Sequence, residues 1–363
     1  MLNLKVELGE NSYPIFIGED ILSRIGEMLT LYNFSPHTFI LTDSTVDSLY
    51  GAEIVDAFKA LTTVEKMVLP EGEKSKSLSE IDEVMTRMLE IGYDRNASVI
   101  AFGGGVVGDI AGFAASIYKR GVRYIQVPTT LLAQVDSSVG GKTGVNHALG
   151  KNMVGTFYQP KLVWIDLGLL KSLPQREILC GLGEIIKYGI IWDADLFKTI
   201  EEELDALLAL DTELLQDIVY RCCEIKAEVV AKDEKESGLR MILNLGHTVG
   251  HALETSTGYK KLSHGEGVLL GCVCESKIAL DKGVLAHEDF DRIITLITRL
   301  PLTNMNRHLE PGRLIEFMKS DKKSVAGKIK FVLPARIGET VTRDDVGEQE
   351  IASAIAYLER LSS

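Results

Sequence analysis

At 363 residues the chain is long enough for two domains with cores of their own, which excludes a peptide ligand or a disulfide-stapled miniprotein. Its 52 Asp and Glu against 39 Lys and Arg give a formal charge of −13, so the surface as a whole repels a phosphate backbone and no nucleic-acid partner is expected. With 45% apolar and 25% charged residues the composition is that of a folded globular protein. The five cysteines, Cys180, Cys222, Cys223, Cys272 and Cys274, are odd in number and form no CxxC pair, which points to a reducing cytoplasm. Apolar runs such as Val268 to Cys274 fall far short of the roughly 20 residues a membrane span needs, so no membrane partner is expected.

Leu2, Leu4, Val6 and Leu8 alternate with polar residues, the pattern of a strand rather than of a signal peptide, and Tyr13 to Ile17 is its expected partner. From Thr38 to Asp166 short β-rich runs at 38–41, 64–69, 98–102, 124–127 and 162–165 alternate with helical stretches. That alternation predicts a Rossmann-like α/β domain over residues 1–173, with a parallel sheet. Beyond Pro174 strand signals nearly vanish, and helices are expected at 197–210, 213–232, 243–255, 266–281 and 290–299, with one hairpin near 328–333. Residues 174–363 therefore read as a mainly α-helical second domain, joined without a long linker.

Several groups along the chain carry chemistry. Asp43 ends the strand run ILTD, where an acid binds a ribose hydroxyl or caps the next helix. Gly103, Gly104, Gly105, Val106, Val107, Gly108 and Asp109 follow the run ending at Phe102 and precede a helix expected near Ile110. Glycines at 103, 105 and 108 have the GxGxxG spacing, which lets a backbone approach a pyrophosphate at a helix N-terminus, although such turns also serve only to pack a strand on a helix. About 20 residues on, the usual acid is missing and Arg120, Arg123 and Gln126 stand instead, so the sheet order should differ from the common Rossmann one. Asp136, Lys142, Lys151 and Asn152 punctuate a turn-rich stretch, and GGKTG at 140–144 lacks the first glycine of a P-loop.

Glu184 and Lys187 share one face of an apolar helix, a surface ion pair or a buried pair that a metal or an anion would compensate. His247 and His251, four apart, present both imidazoles on one helical face, and His264 follows; two such histidines commonly begin a divalent-metal site. Thr248 stands where a HExxH metalloprotease needs its glutamate, which disfavours peptide hydrolysis.

Long uncommon strings then identify a relationship: PEGEKSKS at 70–77, GGGVVGDIAGFAAS at 103–116, YKRG at 118–121, PTTLLAQVDSSVGGKTGVN at 128–146, GKNMVGTFYQP at 150–160, LPQRE at 173–177, GLGEIIKYG at 181–189, RMILNLGHTVGHALE at 240–254, HGEGV at 264–268 and DKK at 321–323. Nearly end to end, the chain resembles the 3-dehydroquinate synthase family of sugar phosphate cyclases. The resemblance implies a lyase of the shikimate pathway, acting on 3-deoxy-D-arabino-heptulosonate 7-phosphate, with catalytic NAD, a zinc or cobalt ion and a homodimeric state. The implied reaction is transient oxidation, phosphate elimination, reduction, ring opening and intramolecular aldol closure to 3-dehydroquinate. Neither departure noted, Cys180 in place of a small residue and Cys272 in place of methionine, touches an implied role.

By that resemblance the metal ligands are Glu184, His247 and His264, which revises the pairing of His247 with His251 read from spacing alone. NAD is expected to contact Asp43, Glu71, Gly72, Glu73, Lys74, Ser75, Lys76, the 103–109 loop, Thr129, Thr130, Lys142, Lys151, Leu169, Leu170, Lys171 and Ser172. Substrate is expected at Asp136, Lys142, Asn152, Lys187, Lys226, Arg240, Asn244, His251 and one of Lys322 and Lys323, with Arg120 reaching across a dimer. His251 and Glu236 are the proton-transfer candidates, with Lys142 and Asn152 beside the reacting atoms. A cyclase acting on a substrate without the carboxylate, a metal-dependent polyol dehydrogenase and a non-catalytic binding module are the competing readings; Arg240, suited to bidentate carboxylate recognition, argues against the first.

Overall fold

The computed structural model describes residues 1–35, 37–58, 63–258, 262–302, 309–320 and 329–361. Lys322 and Lys323 lie outside the described residues. In chain order the elements are β1 (Leu2–Val6), β2 (Tyr13–Gly18), α1 (Ile25–Leu31), β3 (His37–Asp43), α2 (Ser44–Ala57), β4 (Thr63–Leu69), α3 (Leu78–Ile91), β5 (Ser98–Gly103), α4 (Gly105–Ile117), β6 (Arg123–Pro128), β7 (Lys142–His147), β8 (Gly150–Phe157) and β9 (Leu162–Asp166). There follow α5 (Gln175–Ile191), α6 (Ala194–Glu202), α7 (Leu204–Leu208), α8 (Thr212–Lys232), α9 (His247–Ser256), α10 (His264–Asp281), α11 (His287–Thr298), α12 (Pro311–Ser320), β10 (Phe331–Arg336), β11 (Glu339–Arg343) and α13 (Glu348–Leu361). No described helix is long and apolar enough to cross a membrane.

Two compact units result: Met1–Leu173 with Leu210–Lys235, and Pro174–Ala209 with Glu236–Ser363. The sequence reading placed everything after residue 173 in the helical unit; α8 instead packs with the sheet-bearing unit. The reason is chemical. Lys226 of α8 is buried and reaches both the carbonyl oxygen of Asp136 (2.6 Å) and its carboxylate (2.9 Å), while the Cys223 thiol donates to the Gln134 carbonyl at 3.3 Å.

The first unit holds a seven-stranded sheet in the order β1-β2-β9-β6-β5-β3-β4, parallel except for the β1–β2 pair, in which Leu2 faces Ile17. Its five strands from β4 to β9 follow the flavodoxin-like order 2-1-3-4-5, so the variant order expected from the missing acid is present. Phe39, Leu41, Val99 and Ala101 pack on α3 and α4 through Ile81, Val84, Met88 and Ile110. Ile40, Ile100, Phe102 and Trp164 face the opposite way, onto Ile25 and Leu29 of α1, Ile54 of α2 and Phe58 just after it. A strand buried on both faces has no polar side to show, hence the unbroken apolar run of β5. Between β3 and β5 the sheet changes its direction of growth, and ligands bind beyond the carboxyl ends of strands at such a point.

Local differences from the sequence reading have local causes. α4 starts at Gly105, with Gly104 as its extended N-cap, rather than near Ile110, because Gly105 and Gly108 themselves take helical geometry. The stretch read as turn-rich forms a hairpin of β7 and β8. A 3-10 segment, Leu239–Asn244, precedes α9, which begins only at His247 after Gly246 turns the chain at φ +79°.

Candidate functional site

Leu41 pairs with Ala101, so two residues later Asp43 and Gly103 leave the sheet side by side at its switch point. Asp43 caps α2: its Oδ1 accepts from the amides of Thr45 (2.9 Å) and Val46 (3.0 Å), which leaves Oδ2 able to accept from a ribose hydroxyl. The two sequence readings of this residue are thus compatible. Gly104 and Gly105 place the amides of the first turn of α4 at the same edge, a setting suited to an anion.

The 71–76 loop after β4 is tied to this edge. Lys76 is buried, ion-paired with Asp109 and hydrogen-bonded to Asn152 Oδ1 at 2.5 Å. Burial raises the pKa of the Asp109 carboxyl and the Lys76 ammonium opposes that shift. Asn146 completes the group: its side-chain oxygen accepts from the Asn152 amide (2.9 Å) and its side-chain nitrogen donates to Glu73 (2.7 Å). Glu71 accepts from the Thr45 hydroxyl and Ser75 donates to the Pro70 carbonyl. Thr129 bonds through its amide to the Gly103 carbonyl at 3.0 Å, and the Thr130 hydroxyl accepts from the Ala133 amide at 3.2 Å. Leu169 and Leu170 are buried in the turn after β9, with Lys171 and Ser172 exposed beside them; Lys142 opens β7 and Lys151 lies in β8.

Asp136 sits in a π-helical turn over 133–137, held by Lys226. Asn152 adopts a left-handed backbone at φ +54°, and so do Arg120 (φ +70°) and Glu236 (φ +59°). Such conformations are unfavourable for side-chain-bearing residues and persist where neighbours over-determine them, as the bonds around Asn152 do. Arg120 lies away from the strand ends that carry Asp43 and Gly103. It follows the C-terminus of α4, about 20 Å along the helix from Gly105, at the start of the strands.

In the helical unit Glu184 on α5, His247 at the start of α9 and His264 at the start of α10 converge. Glu184 Oε1 lies 3.6 Å from His247 Nε2 and 3.5 Å from His264 Nε2, and one ligand atom of each lies within 4.8 Å of the other two. Bare backbone makes this possible. A Cβ on Gly265 would stand 2.0 Å from the Cys180 carbonyl oxygen, and one on Gly271 would stand 1.8 Å from that of Gly246, so α10 touches α5 and the entry to α9 without side chains between them. A capping box of Ser263 and Glu266 fixes the first turn of α10 and with it His264.

The donor set fits a divalent metal: one carboxylate and two imidazoles, each with Nε2 toward the cluster and Nδ1 toward an acceptor. His247 Nδ1 lies 3.1 Å from the Leu245 carbonyl, and His264 Nδ1 lies 3.0 Å from Glu254 Oε1. Burial works to lower the His264 pKa, but Glu184 and Glu254 outweigh it and push it up to about 10, so the pocket attracts positive charge. Glu184 and Lys187 form an ion pair with each residue only 1% exposed, the buried alternative of the two sequence readings. A fully desolvated pair of this kind is held against a large solvation penalty. His251 stands beside the cluster, its ring centroid 5.4 Å from that of His247. Asn244 donates to Glu236 Oε1 at 2.9 Å, and Arg240 is 2% exposed.

Glu254 was missed in the sequence. Its signal was available: His247, His251 and Glu254 fall at i, i+4 and i+7, one face of a helix.

Fold and donor set define a class, the two-unit architecture shared by sugar phosphate cyclases. A 2-deoxy-scyllo-inosose synthase solved with carbaglucose-6-phosphate, NAD+ and Co2+ superposes at a TM-score of 0.89 with 25% identity over 98% of this chain and 99% of that one. A 2-epi-5-epi-valiolone synthase from Streptomyces hygroscopicus with NAD+ and Zn2+ bound superposes at 0.87 with 29% identity over 98% of both chains. A glycerol dehydrogenase from Schizosaccharomyces pombe, at 17% identity and a TM-score of 0.68 over 96% of this chain and 89% of its own, shares the fold. Residues 66–180 match the family described as 3-dehydroquinate synthase N-terminal and 181–324 the one described as 3-dehydroquinate synthase C-terminal. The 3-dehydroquinate synthase of Thermodesulfovibrio yellowstonii is 46% identical over 98% of this chain and 99% of its own, and that of Desulforamulus reducens 46% over 98% and 100%. The chain belongs to the 3-dehydroquinate synthase family.

Proposed function

We propose that the enzyme converts 3-deoxy-D-arabino-heptulosonate 7-phosphate to 3-dehydroquinate and phosphate, as a cytoplasmic homodimer dependent on NAD and a divalent metal. The observation that carries this reading is the convergence of Glu184, His247 and His264 in a chain 46% identical, over nearly its full length, to curated 3-dehydroquinate synthases. When bound, NAD supplies a reversible hydride acceptor and the cation supplies Lewis acidity.

The chain's own residues bind, orient and move protons. Glu184, His247 and His264 hold the cation. Asp43, the 71–76 loop, the 103–109 loop, Thr129, Thr130, Lys142, Lys151 and the 169–172 turn hold the nucleotide, with the α4 N-terminus toward its phosphates. Arg240 takes the substrate carboxylate in a bidentate grip, beside Asn244, whose amide Glu236 orients. Lys142, Lys187 and Lys226 act as point charges for the phosphate and hydroxyls, with Asp136 and Asn152 fixing orientation. His251 takes and returns a proton, and Glu236 serves a second transfer. Arg120, displaced from the nucleotide edge of its own chain, acts in the partner's site.

Phosphate release from the heptulosonate phosphate tests the reading. Activity should vanish with a chelator, return with Zn2+ or Co2+, and leave no net NADH absorbance because the hydride is returned. Accumulating NADH would identify a dehydrogenase instead. Turnover of a sugar phosphate lacking the carboxylate, but not of the heptulosonate phosphate, would identify a different cyclase.

A further inference from the structure

The His264 imidazole is held from two sides: Nε2 faces Glu184 Oε1 at 3.5 Å and Nδ1 faces Glu254 Oε1 at 3.0 Å. Glu254 is 5% exposed, and α10 makes room for it at Gly267, where a Cβ would stand 3.1 Å from Glu254 Oε1. The two histidines are oriented by different means. A backbone carbonyl faces His247 Nδ1, whereas a carboxylate faces His264 Nδ1. Either acceptor favours the tautomer with hydrogen on Nδ1 and the lone pair on Nε2, but only the carboxylate also brings negative charge and makes the imidazole a stronger donor. Charge matters here because Lys187 is already paired with Glu184, the one anionic member of the cluster Glu184, His247 and His264.

We propose that Glu254 is the positioning residue of the metal centre: its carboxylate accepts the Nδ1–H of His264, fixes the tautomer that offers its Nε2 lone pair to a cation, and strengthens binding of a divalent cation. The inference rests on the reading of Glu184, His247 and His264 as ligands.

The test is the affinity of the full-length protein for Zn2+, measured by competition with a chromogenic chelator, together with the visible spectrum of the Co2+ form. Glu254→Ala should weaken Zn2+ binding about 10- to 100-fold and alter the Co2+ spectrum. Glu254→Gln, which keeps an accepting oxygen but not the charge, should restore part of the affinity, and Glu254→Asp, one methylene short, should fall between wild type and alanine. These two variants decide the matter if the alanine protein does not fold. Wild-type affinity in both Glu254→Gln and Glu254→Asp would overturn the proposal, as would equal weakening in all three with an unchanged Co2+ spectrum. His247→Ala separates the two readings. If it loses Zn2+ while the Glu254 variants keep it, only the role of Glu254 fails; if it binds Zn2+ as tightly as wild type, the ligand assignment itself fails.

Discussion

Gly265→Ala tests what brings the cluster together. The added methyl would begin 2.0 Å from the Cys180 carbonyl oxygen, whereas an ordinary contact starts near 3.4 Å, so α10 must retreat from α5 by about 1.4 Å. His264 precedes Gly265 and Glu184 follows Gly183, so that retreat falls directly on the pair of ligand atoms now 3.5 Å apart. Metal–ligand distances tolerate only about 0.2 Å, several times less than the displacement. Global stability should suffer far less: overpacking costs about 1–3 kcal/mol, and exchanging glycine for alanine in a helix returns up to about 1 kcal/mol. The variant should therefore fold, while its Zn2+ affinity and phosphate release fall about 100-fold or more. Chelator competition and a urea unfolding curve measure the two effects separately. A folded Gly265→Ala protein with Zn2+ affinity within threefold of wild type would show that the bare-backbone contact does not set the ligand spacing.

Three further outcomes follow from the same geometry. The metal-free protein holds His264 protonated below about pH 10, and a metal needs the neutral ring, so Zn2+ uptake should release about one proton and gain about tenfold in affinity per pH unit from 7 to 9; titration calorimetry in buffers of different ionisation enthalpy reads the proton, and no release at pH 8 would refute the assignment. Asp43→Asn keeps an N-cap, so stability should hold, but it exchanges a carboxylate for an amide at the ribose and should weaken NAD about tenfold; unchanged NAD affinity would make Asp43 a cap alone. Lys226→Met removes the buried ammonium that ties α8 to Asp136, and because Asp136 is a quarter exposed the loss should be about 2 kcal/mol, short of a fully buried pair; an unchanged urea midpoint would mean that α8 docks by its apolar face only.

Periodicity and glycine spacing carried the sheet strands, the helical second half and the glycine-rich strand-to-helix turn, because backbone preferences and one-sided burial leave their marks within a few residues. The same local marks misjudged α4, whose glycines are helical, and the β7–β8 hairpin, whose glycines mask its alternation. Residue types exposed the Glu184, His247 and His264 cluster only in part. His247 and His251 look equivalent at four-residue spacing, yet in the structure His247 turns Nε2 toward Glu184 while His251 stands to one side.

What the sequence determined by itself was therefore the family and a set of candidate groups: the 103–109 loop, Asp43, the carboxylate at 184 and the histidines at 247, 251 and 264. Only the tertiary structure decided which of these meet. Glu184 and His264 are 80 residues apart and approach because Gly183 and Gly265 let two helices touch at their backbones; Glu254 gains its partner only from that contact. The placement of α8 with the sheet has the same origin: a helix reads as helical wherever it packs, and the buried bonds from Lys226 and Cys223 are long-range contacts that no local pattern records.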